Sequence, residues 1–396
     1  MSTVAATAGL DALCAVRPAW CALRTGAEAL GLVPGELLHA GPPLHDPRSP
    51  PAPLRSAAVL TALHEGWASD EAQAEAMLAD GWLRLRPAQT AGCVTPLAAV
   101  VSAGTPLFGV GDAASPTGHA GGPAADLIWA PVSALRGPDT RMGHRDPAVL
   151  ARLTERDRVL APALAQWLAQ RGPLPLWPLA AQGLAGGDDL HSRTAAANAA
   201  LVAAWQDGLP AALSEALGAT PLFFLTLWMA ACARLLRAAE GGDAPDLITR
   251  AGGNGERFGI TLAGHPSDWI SVPAAAPAGW RLPSAPAQAQ ALGAIGDSAV
   301  IDLLGFGAQR LAHAPEPLSV LAAGLPPGGL PDVQRLLERA HPALQPPWSL
   351  GIRASRVKQT GIAPMVALAM VAADGRTGLL GRGLYRPPMA LFNAAG

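Results

Sequence analysis

A chain of 396 residues, 50% hydrophobic and only 15% charged, is long enough for two or three domains and too apolar to be disordered as a whole. Its formal net charge of -2, with no arginine cluster interleaved with aromatics, excludes nucleic acid as the main partner. Cys14, Cys21, Cys93 and Cys232 lack metal-type spacing and are too sparse to staple such a chain, which fits a reducing cytoplasm. The most apolar run, residues 222–233, is too short to cross a bilayer, so no membrane partner is expected.

In chain order, residues 1–30 read as alanine-rich and weakly helical, and residues 36–39 as a short strand closed by glycine and prolines. Helices are expected over 55–64 and 69–79, the second opening on Ser69, Asp70 and Glu71, whose oxygens suit exposed helix N–H groups. WLRLR alternates as a half-buried strand does, while LAAVVSA and TPLFGV are short apolar runs bounded by Pro or Gly and read as buried strands. Residues 111–145 are turn-rich. Five helices are expected next, at about 146–157, 160–170, 189–207, 209–217 and 222–239. After Gly241 strands return in DLITR, RFGITLAG, DWISVP and MVALAMVAAD, with a helix over 332–340. The order implies an α+β fold: an N-terminal α/β domain over 1–145, a helical domain over 146–240 and a C-terminal α/β domain over 241–396.

Four stretches carry candidate chemistry. In GGDDLHSRTAAANAAL, Asp188 can cap a helix running from Asp189, whose start offers N–H groups to an anion beside Arg193; an Asp189–Arg193 pair is the plain alternative. On that helix His191 and Asn198 share a face. In RAGGNGERFGITLAG, Asn254-Gly255 signals a tight hairpin turn, the favoured reading, and Gly253, Asn254 and Gly255 can also form an anion-binding nest. Asp297 and Ser298 precede an apolar helix, as caps or as ligand contacts, and Lys358 and Thr360 stand beside Gly361 before a strand, able to hold a small anion. GVGDAA lacks the helix a dinucleotide site requires, Gly-x-Ser-x-Gly is absent, and the nine histidines show no metal spacing, so neither cofactor nor metal is expected.

Seven short matches in order give the chain a wider likeness: LLHAGPPL with Pro53-Leu54-Arg55-Ser56-Ala57, HEGWASDEAQAEAMLADG, VTPLAAVVSAGTPLFGV, GGDDLHSRTAAA, GGNGERFGITLAG, IGDSAVIDLLGFG, and KQTGIAP with PPMALF. From about residue 33 to the end it resembles a divergent member of the bacterial family that includes a subunit of oxamate carbamoyltransferase, of anaerobic allantoin catabolism. The resemblance implies an α+β fold with a small helical domain in the middle. It also implies carbamoyl transfer between carbamoyl phosphate and a small anionic amide or ureide, in company with other subunits. The residues to hold the anions and stabilise charge are then His191, Arg193 and Asn254, as catalytic groups converging on one pocket, with Arg55, Asp188, Asn198, Gly253, Gly255, Asp297, Ser298, Lys358 and Thr360 as substrate contacts. The family's polar, histidine-containing segment is reduced here to Gln89, Thr90, Ala91 and Gly92, which favours an alternative, a non-catalytic binding or scaffold subunit.

Overall fold

The computed structural model describes residues 8–114 and 127–395. Residues 1–7 of the N-terminal stretch and 115–126 of the turn-rich stretch lie outside them.

The fold is α+β, built of several small sheets around one long buried helix. That helix, Phe224–Arg237, is apolar on almost every side, as a helix surrounded by protein must be. It packs against strands Pro106–Asp112 and Ile128–Pro131 on one side, and against strand Ile248–Asn254 and helix Ala299–Leu304 on the other. The first sheet is antiparallel, in the order Ile128–Pro131, Pro106–Asp112, Pro18–Thr25, Leu174–Pro175. The second has the order Ile295–Gly296, Ile248–Asn254, Arg257–Leu262, His265–Pro273. A third joins Ala278–Arg281, Leu379–Tyr385 and Val366–Val371. The main apolar cluster includes Trp20, Phe108, Trp205 and Phe223, whose rings meet edge to face at centroid separations of 5.5–6.0 Å.

Several local expectations fail for identifiable reasons. Pro18–Thr25 is a strand where weak helix was expected, because its buried residues pair along strand Pro106–Asp112 and this outweighs alanine's helical preference. LAAVVSA forms no strand; only Val101 bridges, to Leu38, and burial rather than pairing explains its apolar character. Over 332–340, a single 3-10 turn, Val333–Leu336, leads into strand Leu337–Ala340, which pairs with Ser349–Ile352. Helix Trp177–Ala185, with proline in its first turn, was not expected.

The helix of GGDDLHSRT begins six residues later than expected, at Ala195. Residues 186–194 instead form a loop drawn together by two buried aspartates. Asp189 accepts from the backbone N–H groups of His191, Ser192 and Arg193 and from the Ser192 hydroxyl. Asp188 accepts from the N–H groups of Ala196 and Ala197, so it caps the helix from across the loop. Leu190, at the loop's turn, has φ +66°.

Candidate functional site

That loop places His191 in the wall of a cavity of about 100 Å³. The wall also includes Leu97, Arg141, Leu225, Ser298, residues of strand Val366–Val371 and Arg382. Leu97, like Leu190, has a left-handed backbone, with φ +47°; these are the two such non-glycine residues among those described, and Leu97 lines this cavity while Leu190 immediately precedes His191 in the chain. A non-glycine residue in that region costs about 1–3 kcal/mol, and such strain gathers where a site must hold an unusual shape. Gly296 allows the close approach at Leu97: with φ +118°, a Cβ there would lie 2.8 Å from the Leu97 nitrogen.

His191 Nδ1 lies 2.6 Å from Asp302 Oδ2, both residues being buried. The other Asp302 oxygen accepts from the N–H groups of Ala308 and Ala367, so the carboxylate is fixed from two elements. Fixing Nδ1 orients the ring and leaves Nε2 as the nitrogen for the cavity. Burial works against a charged imidazole here, but the Asp302 carboxylate, its hydrogen bond and the nearby Asp189 outweigh it and raise the His191 pKa above its usual 6.5. NMR titration should find a ring pKa above 6.5 in the native protein, returning toward the usual value in Asp302→Asn. The stability this pair contributes is then fully present below 6.5 and is lost as pH rises through the raised value.

Two guanidinium groups complete the cavity. Arg141 is held 3.3 Å from Asp139, and Arg382 donates to the Ser192 carbonyl at 3.3 Å. Among the described residues Arg382 has no carboxylate partner, so its charge is available to an anion.

The expected convergence of His191, Arg193 and Asn254 is not what the structure shows. Arg193 does not pair with Asp189 through its side chain. It pairs with Asp188 and, 2.8 Å away, with Glu316, outside the cavity that His191 lines. Arg193→Ala should therefore leave anion affinity unchanged while costing about 1–2 kcal/mol of stability by stripping buried Asp188 of a charged donor; urea unfolding and calorimetric titration read the two effects separately. Asn254 is buried in the β-hairpin turn that its sequence implies. Its oxygen accepts from the N–H groups of Glu256 and Arg257, and its amide donates to the Pro42 carbonyl at 2.9 Å, so it ties two loops together rather than facing the cavity. Gly253 lies in the strand pair beside Ala294, where a Cβ would meet the carbonyl oxygen at 2.0 Å, and Gly255 turns the hairpin with φ +91°.

Asn198 donates to the Leu217 carbonyl inside the helical region, on no shared face with His191. Arg55 is half-buried, 4.0 Å from Glu75, and Lys358 and Thr360 occupy the last turn of helix Ala354–Thr360; none of these three lines the cavity. Ser298 does line it. Asp297, its neighbour, faces away: its buried carboxylate accepts from Gly41 N–H, Thr95 N–H and the Gln89 side chain. Sequence reasoning missed Asp302, Arg141 and Arg382; only Asp302 stood in a quoted motif, IGDSAVIDLLGFG.

Among the described residues no group of three or more His, Cys, Asp or Glu is arranged to hold a metal ion, and no helix is long and apolar enough to cross a membrane.

Comparison with known proteins locates this architecture. The fold matches a solved structure, a conserved protein of unknown function from Enterococcus faecalis V583, with a TM-score of 0.90 over 99% of this chain and 96% of that one, at 23% identity. In sequence the chain is 29% identical to oxamate carbamoyltransferase subunit AllG of Escherichia coli (strain K12), covering 96% of this chain and 93% of that protein. It is 27% identical to the uncharacterized protein YahG of the same organism, covering 93% and 80%. The family model for oxamate carbamoyltransferase subunit AllG matches residues 83–298, which include His191, Arg141 and Ser298. With more than half its length matched by that model, the chain belongs to the family of oxamate carbamoyltransferase subunit AllG.

Proposed function

We propose that this chain is the subunit of a carbamoyltransferase that holds small anionic substrates, and that the His191 cavity is where a carbamoyl group passes between carbamoyl phosphate and an amide such as oxamate. The observation that carries the reading is a histidine oriented by a buried aspartate in one small cavity with two arginines. Both substrates are small anions, and guanidinium groups suit phosphate and carboxylate because their planar forks can donate two hydrogen bonds at once.

In the transfer, the amide nitrogen attacks the carbamoyl carbon and forms the new C–N bond. The C–O bond to phosphate breaks, and the departing phosphate takes the amide proton. Negative charge grows on the carbamoyl oxygen as the nitrogen attacks. His191, whose raised pKa favours its charged form, donates from Nε2 to that oxygen, while Arg141 and Arg382 hold the anionic ends. The Ser298 hydroxyl supplies a further polar contact on the wall.

The test is phosphate release from carbamoyl phosphate in the presence of oxamate, measured with the purified chain together with its partner subunits. His191→Gln should lower the rate by at least about 10²-fold without dissolving the complex. An unchanged rate in an intact complex would make the chain a binding or scaffold subunit, with the chemistry on another chain.

A further inference from the structure

A second concavity shares no residue with the His191 cavity and is larger, at about 390 Å³. It lies between the segment Arg86–Val94, the C-terminal end of helix Phe224–Arg237, and the start of strand Ile248–Asn254. Arg86, Arg237 and Arg250 line it, and among the described residues Glu240 is the acidic residue in its wall. Glu240 is taken by Arg250, 3.2 Å away. Arg86 and Arg237 have no carboxylate partner among the described residues. Arg237 lies across Gly92, where a Cβ would come within 3.2 Å of its Nη1, so a glycine with φ +73° leaves the space the guanidinium occupies. The apolar part of its lining includes Leu30, Leu127 and Ile128.

Three guanidinium groups against one carboxylate leave an excess of two positive charges in a concavity of ligand size. A planar carboxylate monoanion engages one fork. A tetrahedral dianion offers acceptors to several forks approaching from different directions, which matches arginines borne on separate elements. The apolar wall suits an organic group attached to that dianion. We propose that this cleft is a second ligand site of the chain and takes an organic phosphate, its phosphate between Arg86 and Arg237 and its carbon body along Leu30 and Ile128. The site is separate from the proposed transfer chemistry. The two concavities back onto the same wall: Gln89 lines the cleft and donates to Asp297, the neighbour of Ser298 in the His191 cavity.

Phenyl phosphate is the probe, titrated calorimetrically into the full chain. Wild type should bind it more tightly than inorganic phosphate; Arg86→Gln/Arg237→Gln should weaken binding at least about 30-fold; and Arg382→Gln, in the other cavity, should leave it unchanged. If the double variant does not fold, Arg237→Gln alone, at the exposed end of its helix, carries the test. Absence of binding to wild type, equal affinity in the cleft variants, or loss confined to Arg382→Gln would each overturn the proposal. So would a wild type that ignores phenyl phosphate while the double variant loses its partner subunits, which would make the cleft a protein interface.

Discussion

Asp297→Ala is expected to lower the stability of the protein by on the order of 3–5 kcal/mol, a loss easily read by urea unfolding. The substitution leaves the N–H groups of Gly41 and Thr95 buried without their acceptor, each at about 1–3 kcal/mol before relaxation, and strips the Gln89 amide of one of its two partners, the other being the Ala251 carbonyl. These donors come from segments more than 200 residues away in sequence from Asp297, so the carboxylate pins the loops at residues 41, 89 and 95 to the strand Ile295–Gly296. Asp297→Asn should fall between, because its oxygen can serve Gly41 and Gln89 while its amide faces the Thr95 N–H. Burial pushes the Asp297 carboxyl up to about 7, against the three donors that pull it down. The folded state therefore keeps this proton over a range in which the unfolded chain, near 3.8, has lost it. More protons on the folded state mean that this group's contribution falls as pH rises from about 4 to about 7. Asp297→Asn should flatten that slope, and an identical slope in both proteins would remove Asp297 as its source.

Asp302→Asn should reduce the rate of carbamoyl transfer by on the order of 10²-fold, no more than His191→Gln does, while changing substrate affinity little. The asparagine oxygen can still accept from Ala308 and Ala367, so the local backbone has its partners. Its amide, however, now faces His191 Nδ1 and donates to it, so the ring keeps its Nε2 proton but loses the carboxylate that raised its pKa, and a neutral donor replaces a charged one at the carbamoyl oxygen. A purely structural Asp302 would instead show its effect in stability, with kcat per folded molecule unchanged. Measuring kcat, KM and the fraction folded on one preparation separates the two cases.

The fold class could be read from the order of apolar patterns, and strands such as Glu36–His39 and Val366–Val371 stood out because short apolar runs were closed by glycine, proline or charge. Pro18–Thr25 did not, since its strand character depends on a partner almost 90 residues downstream. Residues 189–194 were misread as helix for a similar reason. Asp188 and Asp189 do act as caps and turn formers, but Asp189 bends the backbone around itself and so delays the helix to Ala195. In the site, His191 was visible within a polar cluster in a chain otherwise poor in charge, and Ser298 as a polar residue ahead of an apolar helix. Asp302 lies 111 residues from His191, and nothing local marks it as that residue's partner. Arg141 and Arg382 were unremarkable because isolated arginines carry no pattern; only the fold gives them a shared cavity. Arg193 and Asn254 drew notice for genuine local chemistry, and in the structure that chemistry holds loops together.

The central claim is that the anions are held where His191, Arg141 and Arg382 meet. Its most direct test is calorimetric titration of carbamoyl phosphate and of oxamate into wild type, Arg382→Gln and Arg193→Ala. Arg382→Gln should lose about 1.5–3 kcal/mol of binding, the scale of a hydrogen bond between charged groups, with its melting temperature nearly unchanged, and Arg193→Ala should bind as wild type does. Wild-type affinity in Arg382→Gln, with the loss appearing in Arg193→Ala, would contradict the account and move the site to the other side of the Asp189 loop.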